Sequence, residues 1–196
     1  MESRQTLFLV EVAIMSAMAL VLDIIPFLSF KIWPQGGSVS FAMIPVFLVA
    51  FRWGVKGGLL SGLLFGAFQV VTGTAYILTP LQGLIEYGFA FTALGTAGVL
   101  SAKVQESLKA GKNSAFIVYI VLGVLLGCTG RFLGHLLAGV FFFSENAPEG
   151  QPIWLYSAVY NGSYMLPAFI LSSIVISFLF YKQPRLAEAR SGSQGK

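Results

Sequence analysis

Long apolar runs dominate the chain and polar residues interrupt them at short intervals. A helix that crosses a bilayer needs about 20 apolar residues. The pattern predicts six such segments, at 7–29, 41–51, 57–72, 81–100, 115–143 and 156–181. The second is short and contains Pro45, which points to a tilted or partly re-entrant element. Two longer connections differ from the rest. Residues 31–40 read Lys-Ile-Trp-Pro-Gln-Gly-Gly-Ser-Val-Ser, and 144–154 read Ser-Glu-Asn-Ala-Pro-Glu-Gly-Gln-Pro-Ile-Trp. Both carry turn chemistry and an aromatic residue, so they are candidate lids, or else Trp33 and Trp154 belong to an interfacial aromatic belt.

Composition supports a membrane reading. Of 196 residues, 56% are hydrophobic and 10% charged, where a soluble domain carries about 25% charged residues. The fold class predicted is all-α, an integral membrane six-helix bundle over residues 1–182 with a polar tail at 183–196. The first apolar segment is not read as a cleaved signal, because it is long and holds Glu11 and Asp23. The lone Cys128 excludes an internal disulfide and a cysteine-rich metal site.

The net charge of +4 reads as topology rather than nucleic-acid binding, because the cations are scattered through short connections. With the N-terminus inside, the inner connections receive Arg4, Arg52, Lys56, Lys103, Lys109, Lys112, Lys182, Arg185, Arg190 and Lys196, and the outer ones receive Lys31. The positive-inside rule then places both termini in the cytoplasm.

This topology sets the depth of the polar residues that interrupt the apolar segments. Glu86 lies five residues into the fourth segment, about 7–8 Å below its outer end at 1.5 Å per residue. His135 lies about 12 Å down the fifth and Asn161 about 7–8 Å down the sixth by the same rise. Three polar groups on three helices thus converge on one level beneath the two turn-rich connections, as in a pocket that opens outward. A carboxylate at such a depth marks a functional site by default. Each residue also has a packing alternative: an ion pair of Glu86 with Arg131, a His135 satisfied by a neighbouring helix, an Asn161 that joins two helices, and aromatic side chains that simply fill space. A carboxylate, an imidazole, an amide and several aromatic rings together favour a flat, polar, cationic heterocycle. Ala13 and Ala17, in Ala-Ile-Met-Ser-Ala, form a small-xxx-small pattern that suits either packing within the bundle or docking of another membrane subunit.

No phosphate-binding loop, metal-ligand cluster or Ser–His–Asp set can be placed in the chain, so neither catalysis nor self-powered transport is expected. A stand-alone carrier and a lipid-modifying enzyme are the alternatives in other functional classes.

The chain resembles the thiamine-specific substrate-binding components, the ThiT/YuaJ family, of energy-coupling factor vitamin transporters. The resemblance rests on Pro-Gln-Gly-Gly-Ser-Val-Ser at 34–40, Phe-Arg-Trp-Gly-Val-Lys at 51–56 and Glu86-Tyr87. His-Leu-Leu-Ala-Gly from His135, and Trp154 to Pro167 with Tyr156, Tyr160, Asn161 and Tyr164, complete it. It implies a six-helix bundle in a prokaryotic plasma membrane that binds thiamine near its outer face, under the first loop. It further implies ligand contacts from Glu86, Tyr87, His135, Tyr156, Asn161 and Trp33. At the position where family members can carry a stacking Trp, this chain has Phe143. The resemblance also implies docking through Ala13 and Ala17 to a transmembrane coupling subunit, with two ATPase subunits that alone use ATP. No cofactor in this chain and no enzymatic activity are implied. A sister component for another vitamin is the runner-up.

Overall fold

The computed structural model describes residues 2–33 and 36–188. Helix α1 runs Glu2–Ile24, and Pro26 accounts for its end, since the residue before a proline is pushed out of helical geometry. Helix α2 covers Met43–Val71. Helix α3 is a continuous helical segment, Pro80–Lys109, and α4 and α5 cover Asn113–Phe142 and Ile153–Lys182. Among the described residues, five helices are long and apolar enough to cross a membrane.

One expectation needs correction. The stretch expected as a loop after the first helix contains a β hairpin, with β1 at Ser29–Trp33 paired antiparallel to β2 at Gly36–Ser40. The fold is therefore not purely helical. Pro34 and Gln35 of the quoted loop motif, and most of the expected tail with Arg190 and Lys196, lie outside the described residues. The second and third predicted segments are the two arms of α2, which meet at a sharp break within Phe-Arg-Trp-Gly-Val-Lys. Gly54 stands there at φ +73°, a conformation that glycine adopts without the clash a Cβ would bring.

The chain reverses at Gly54. A Cβ placed on Gly58 would lie 2.7 Å from the Cβ of Ala50, although eight residues of straight helix would separate them by about 12 Å. Gln105 donates from Nε2 to the carbonyls of Phe51 and Arg52 at 2.8 and 3.2 Å, satisfying acceptors that the broken helix leaves open.

Helix α1 lies beside the second arm of α2 and runs parallel to it. Ser16 meets Ser61, with 3.0 Å between their hydroxyls, and Asp23 accepts from Gln69 Nε2 at 3.0 Å. At the opposite end Glu11 receives Arg52 through two bonds of 2.6 and 2.8 Å, and Trp53 Nε1 at 2.7 Å. This bidentate pair shows Arg52 as a structural ion-pair partner in addition to any role in topology.

Glycines on the second arm of α2 let α3 approach closely. Gly66 is the tightest point, since a Cβ there would sit 1.9 Å from the carbonyl oxygen of Tyr87. The core between these elements is apolar and closely packed, with Phe47, Phe51, Phe65, Leu94, Phe116 and Ile120 all fully or almost fully buried.

Candidate functional site

A cavity of about 420 Å³ lies at the end of the bundle that carries the hairpin, and all five helices contribute to its wall. Glu86, Tyr87, His135, Phe143, Tyr156 and Asn161 all line it. Glu86, His135 and Asn161, expected at one depth on three helices, thus share one space.

Helix α3 presents Glu86 from an unusual turn. Residues Leu84–Ala90 form a π-helix, whose i→i+5 bonding gives each turn an extra residue and commonly marks functional sites. The Glu86 carboxylate accepts a hydrogen bond from the amide of Gln82, one α-turn earlier and fully buried. The same Gln82 amide donates to Tyr76 O at 3.2 Å, while its oxygen accepts from Leu78 N at 3.0 Å. Tyr87 OH accepts from Tyr76 N at 2.8 Å. The connection between α2 and α3 is thus stitched to α3 by three bonds, two to Gln82 in its first turn and one to Tyr87 in the π turn, and Gly73, Thr74, Ala75 and Tyr76 enter the cavity wall.

His135 Nδ1 faces Glu86 Oε1 at 3.4 Å, and His135 Nε2 accepts from Arg131 Nε at 3.2 Å. Arginine has only donors, so Nε2 is the acceptor and the ring proton of the neutral imidazole sits on Nδ1, directed at the carboxylate. The expected alternative of a Glu86–Arg131 ion pair does not form. The Arg131 guanidinium lies 4.2 Å from the centroid of the Phe91 ring and reaches Glu86 only through the imidazole. Among the described residues, Glu86 pairs with no Lys or Arg, and its carboxylate keeps an open side toward the cavity.

Helix α5 supplies a polar-aromatic face. Residues 156, 157, 160, 161 and 164 follow helical spacing and all line the cavity. Asn161 is buried, and its amide donates to Ser157 O at 2.9 Å and to His135 O at 3.4 Å, while its carbonyl accepts from Tyr164 OH. It therefore joins α4 to α5 and also borders the cavity, so the two alternatives for this residue hold together. The rings of Tyr156, Tyr160 and Tyr164 follow one another with centroids 6.0 and 6.2 Å apart.

The two tryptophans of the connections differ in placement. Trp33 stacks on Tyr160 with ring centroids 5.5 Å apart and donates from Nε1 to Ser163 Oγ at 2.9 Å. It backs a wall residue and is not itself part of the wall. Trp154 is 61% exposed and stands away from the cavity. Phe143 lines the cavity beside Tyr76, with ring centroids 6.3 Å apart. Ala13 and Ala17 lie on an exposed apolar face of α1 with Val10, Ile14, Met18 and Val21.

Sequence reasoning missed Asp23, Gln69, Gln82 and Tyr76 as parts of this site. The spacing of Gln82 and Glu86, one helical turn apart, was the available signal for one of them. Asp23 was visible as an acid in a membrane segment, and it lines the cavity with Gln69 and Lys31.

Fold and cavity together define a bundle of apolar, membrane-crossing helices with a polar and aromatic cavity at one end. The family of thiamine transporter proteins (Thia_YuaJ) matches residues 9–188. ThiT of Bacillus subtilis (strain 168) is 43% identical over 188 residues, which cover 96% of this chain and 97% of that protein. ThiT of Lacticaseibacillus paracasei (strain ATCC 334) is 28% identical over 97% of this chain and 95% of its own length. A solved structure of ThiT from Listeria monocytogenes superposes with a TM-score of 0.87 at 35% identity, covering 94% of this chain and 98% of that one. The S component of a bacterial ECF transporter shares the fold at a TM-score of 0.50 and 19% identity, covering 92% of this chain and 95% of that one. The chain belongs to the thiamine transporter protein family.

Proposed function

We propose that this chain is the thiamine-capturing subunit of an ATP-driven energy-coupling factor transporter in the plasma membrane. The observation that carries the reading is a carboxylate without a Lys or Arg partner among the described residues, at the wall of an aromatic cavity, in a chain of the thiamine transporter family. Thiamine carries a permanent positive charge on its thiazolium ring. Glu86 offers that charge a counterion in a low-dielectric setting, and the aromatic wall offers ring faces. Tyr87 and His135 complete the carboxylate's surroundings. The polar edge of the aminopyrimidine falls to Tyr156 and Asn161, while Trp33 supports the wall from behind through Tyr160.

The proposed topology has six crossings, with the two arms of α2 counted separately and both termini cytoplasmic. Reversal at Gly54 and the bias of Lys and Arg toward the end opposite the cavity support it. The cavity then opens outward. The exposed face around Ala13 and Ala17 suits a transmembrane coupling subunit, and two ATPase subunits supply the energy. This chain needs no cofactor of its own.

A competition panel separates this reading from a sister component for another vitamin. Bound radiolabelled thiamine is expected to be displaced by unlabelled thiamine, and to persist against excess riboflavin, biotin or pantothenate. Displacement by one of those three at lower concentration would move the assignment to that vitamin. A second expectation concerns the stacking position. Phe143→Trp enlarges the ring face and strengthens cation–π attraction, so affinity should rise by about two- to fivefold, corresponding to roughly 0.5–1 kcal/mol. Calorimetric titration of the variant beside the parent chain measures it, and a weaker or unchanged affinity would place Phe143 away from the thiazolium.

A further inference from the structure

A second cavity, of about 670 Å³, lies at the opposite end of the bundle and has no part in the ligand site. Its lining includes Arg4, Arg52, Lys109 and Arg185, with Glu188 as the only acidic member among the described residues. The four cations come from four places in the chain: the start of α1, the reversal in α2, the end of α3 and the segment after α5. Tertiary structure gathers them, and the sequence pattern alone does not.

Their bonding states differ. Arg52 is already committed, since Glu11 takes Nε and one terminal nitrogen, and the carbonyls of Arg185 and Leu186 accept from the other at 3.1 and 3.2 Å. These last two bonds hold the segment after α5 against the reversal and so place Arg185 at the cavity. Arg4, Lys109 and Arg185 form no ion pair among the described residues. The carbonyls of Phe51 and Arg52, which would otherwise offset positive charge, are taken up by Gln105. Among the described residues, three uncommitted cations against one carboxylate leave a surplus of two positive charges around a space wide enough for a hydrated anionic group.

We infer that this cavity is an anion site for a phosphate group, carried either by the headgroup of an anionic phospholipid or by free phosphate. Cations gathered in a pocket between membrane helices at the cytoplasmic boundary are the usual setting for anionic headgroups. Assignment to the cytoplasmic leaflet rests on the topology proposed above, whereas the anion chemistry rests on the cavity alone.

The test uses the full chain purified in a non-ionic detergent, with phosphatidylglycerol, phosphatidylcholine and inorganic phosphate as probes, read by native mass spectrometry. Phosphatidylglycerol should be retained at least about tenfold better than phosphatidylcholine. Each cation removed should weaken retention about fivefold, so the combined Arg4→Gln, Lys109→Gln, Arg185→Gln variant should lose the preference altogether. Millimolar inorganic phosphate that binds and displaces the lipid identifies free phosphate as the source, and lipid held against it identifies the headgroup. Equal retention of both lipids, or a combined variant that keeps the preference, overturns the proposal. So does failure of both probes with loss only of ATP-driven uptake, which would assign the cavity to an acidic side chain of a partner protein. If the combined variant does not fold, Lys109→Gln alone decides through its fivefold step. Thiamine affinity should be unchanged in these variants, which separates failure here from failure of the thiamine reading. Labelling of Lys109→Cys from outside intact cells would overturn the leaflet without touching anion binding in detergent. The single native cysteine, Cys128, is buried and adds little background.

Discussion

Glu86→Gln is expected to weaken thiamine binding about a hundredfold, near 3 kcal/mol, with a smaller loss of stability, about 1 kcal/mol. Glutamine keeps the size of the side chain. Its carbonyl can still accept from His135 Nδ1–H, but its NH2 then faces the Gln82 NH2, donor against donor, so the hydrogen bond from Gln82 is lost. What disappears for the ligand is the negative charge. At about 4 Å and an effective dielectric near 20, attraction between unit charges is about 4 kcal/mol before desolvation is subtracted. The aminopyrimidine fragment without the thiazolium should therefore lose much less affinity than thiamine on the same substitution. Calorimetry with both ligands measures the difference. Equal losses would assign Glu86 to the pyrimidine edge, and a variant that unfolds early while binding normally would return the residue to a packing role.

Gly66→Ala should damage both stability and binding. Its new methyl would meet the Tyr87 carbonyl oxygen at 1.9 Å and the carbonyl carbon at 2.9 Å. Both obstacles are backbone, so no side-chain rotation relieves the clash, and α2 and α3 must separate. Overpacking of this kind costs about 1–3 kcal/mol. Displaced backbone here belongs to the π turn that carries Glu86 and Tyr87, so affinity should fall at least about tenfold with it, since a shift near 1 Å spoils a preorganised contact. Gly162→Ala is the control, because its Cβ would approach only Phe132 Cε2, at 4.0 Å. Thermal unfolding and thiamine titration of both variants check the pair. A Gly66→Ala protein that binds normally would show that the close approach of these helices does not position the site.

Much of the architecture was legible in the pattern of apolar runs. The last three spans begin and end within a few residues of the observed helices, apart from the C-terminal extension of α3, because hydropathy and the positions of Lys and Arg act over the length of a whole helix. The reversal near Gly54 was legible as the short interruption with Arg52 and Lys56 between two predicted segments. Its tightness was not, because that depends on φ at one glycine. The hairpin escaped for a related reason: its strands are five residues each, too short for alternation to stand out beside spans of 20 or more.

Within the site, Glu86, His135 and Asn161 could be found because the rise per residue converts sequence position into depth. Arg131 could be placed near His135 but not assigned a partner, since that depends on which way a long side chain turns. Gln82 and Tyr76 matter through hydrogen bonds between a loop and a π turn, and neither element has a signature in hydropathy. Trp33 was expected as a direct ligand contact. Its stacking on Tyr160 shows how a residue of the hairpin can influence the cavity from one layer away.

The central claim is that this chain, by itself, captures thiamine in the cavity beneath the hairpin. Titration of the purified chain with thiamine, followed by tryptophan fluorescence and calorimetry together, tests it most directly. The account predicts saturable quenching at one thiamine per chain, with Trp33 as the principal reporter through its contact with Tyr160, and a matching heat of binding. Unchanged fluorescence and no heat over a wide range of thiamine concentration would contradict it.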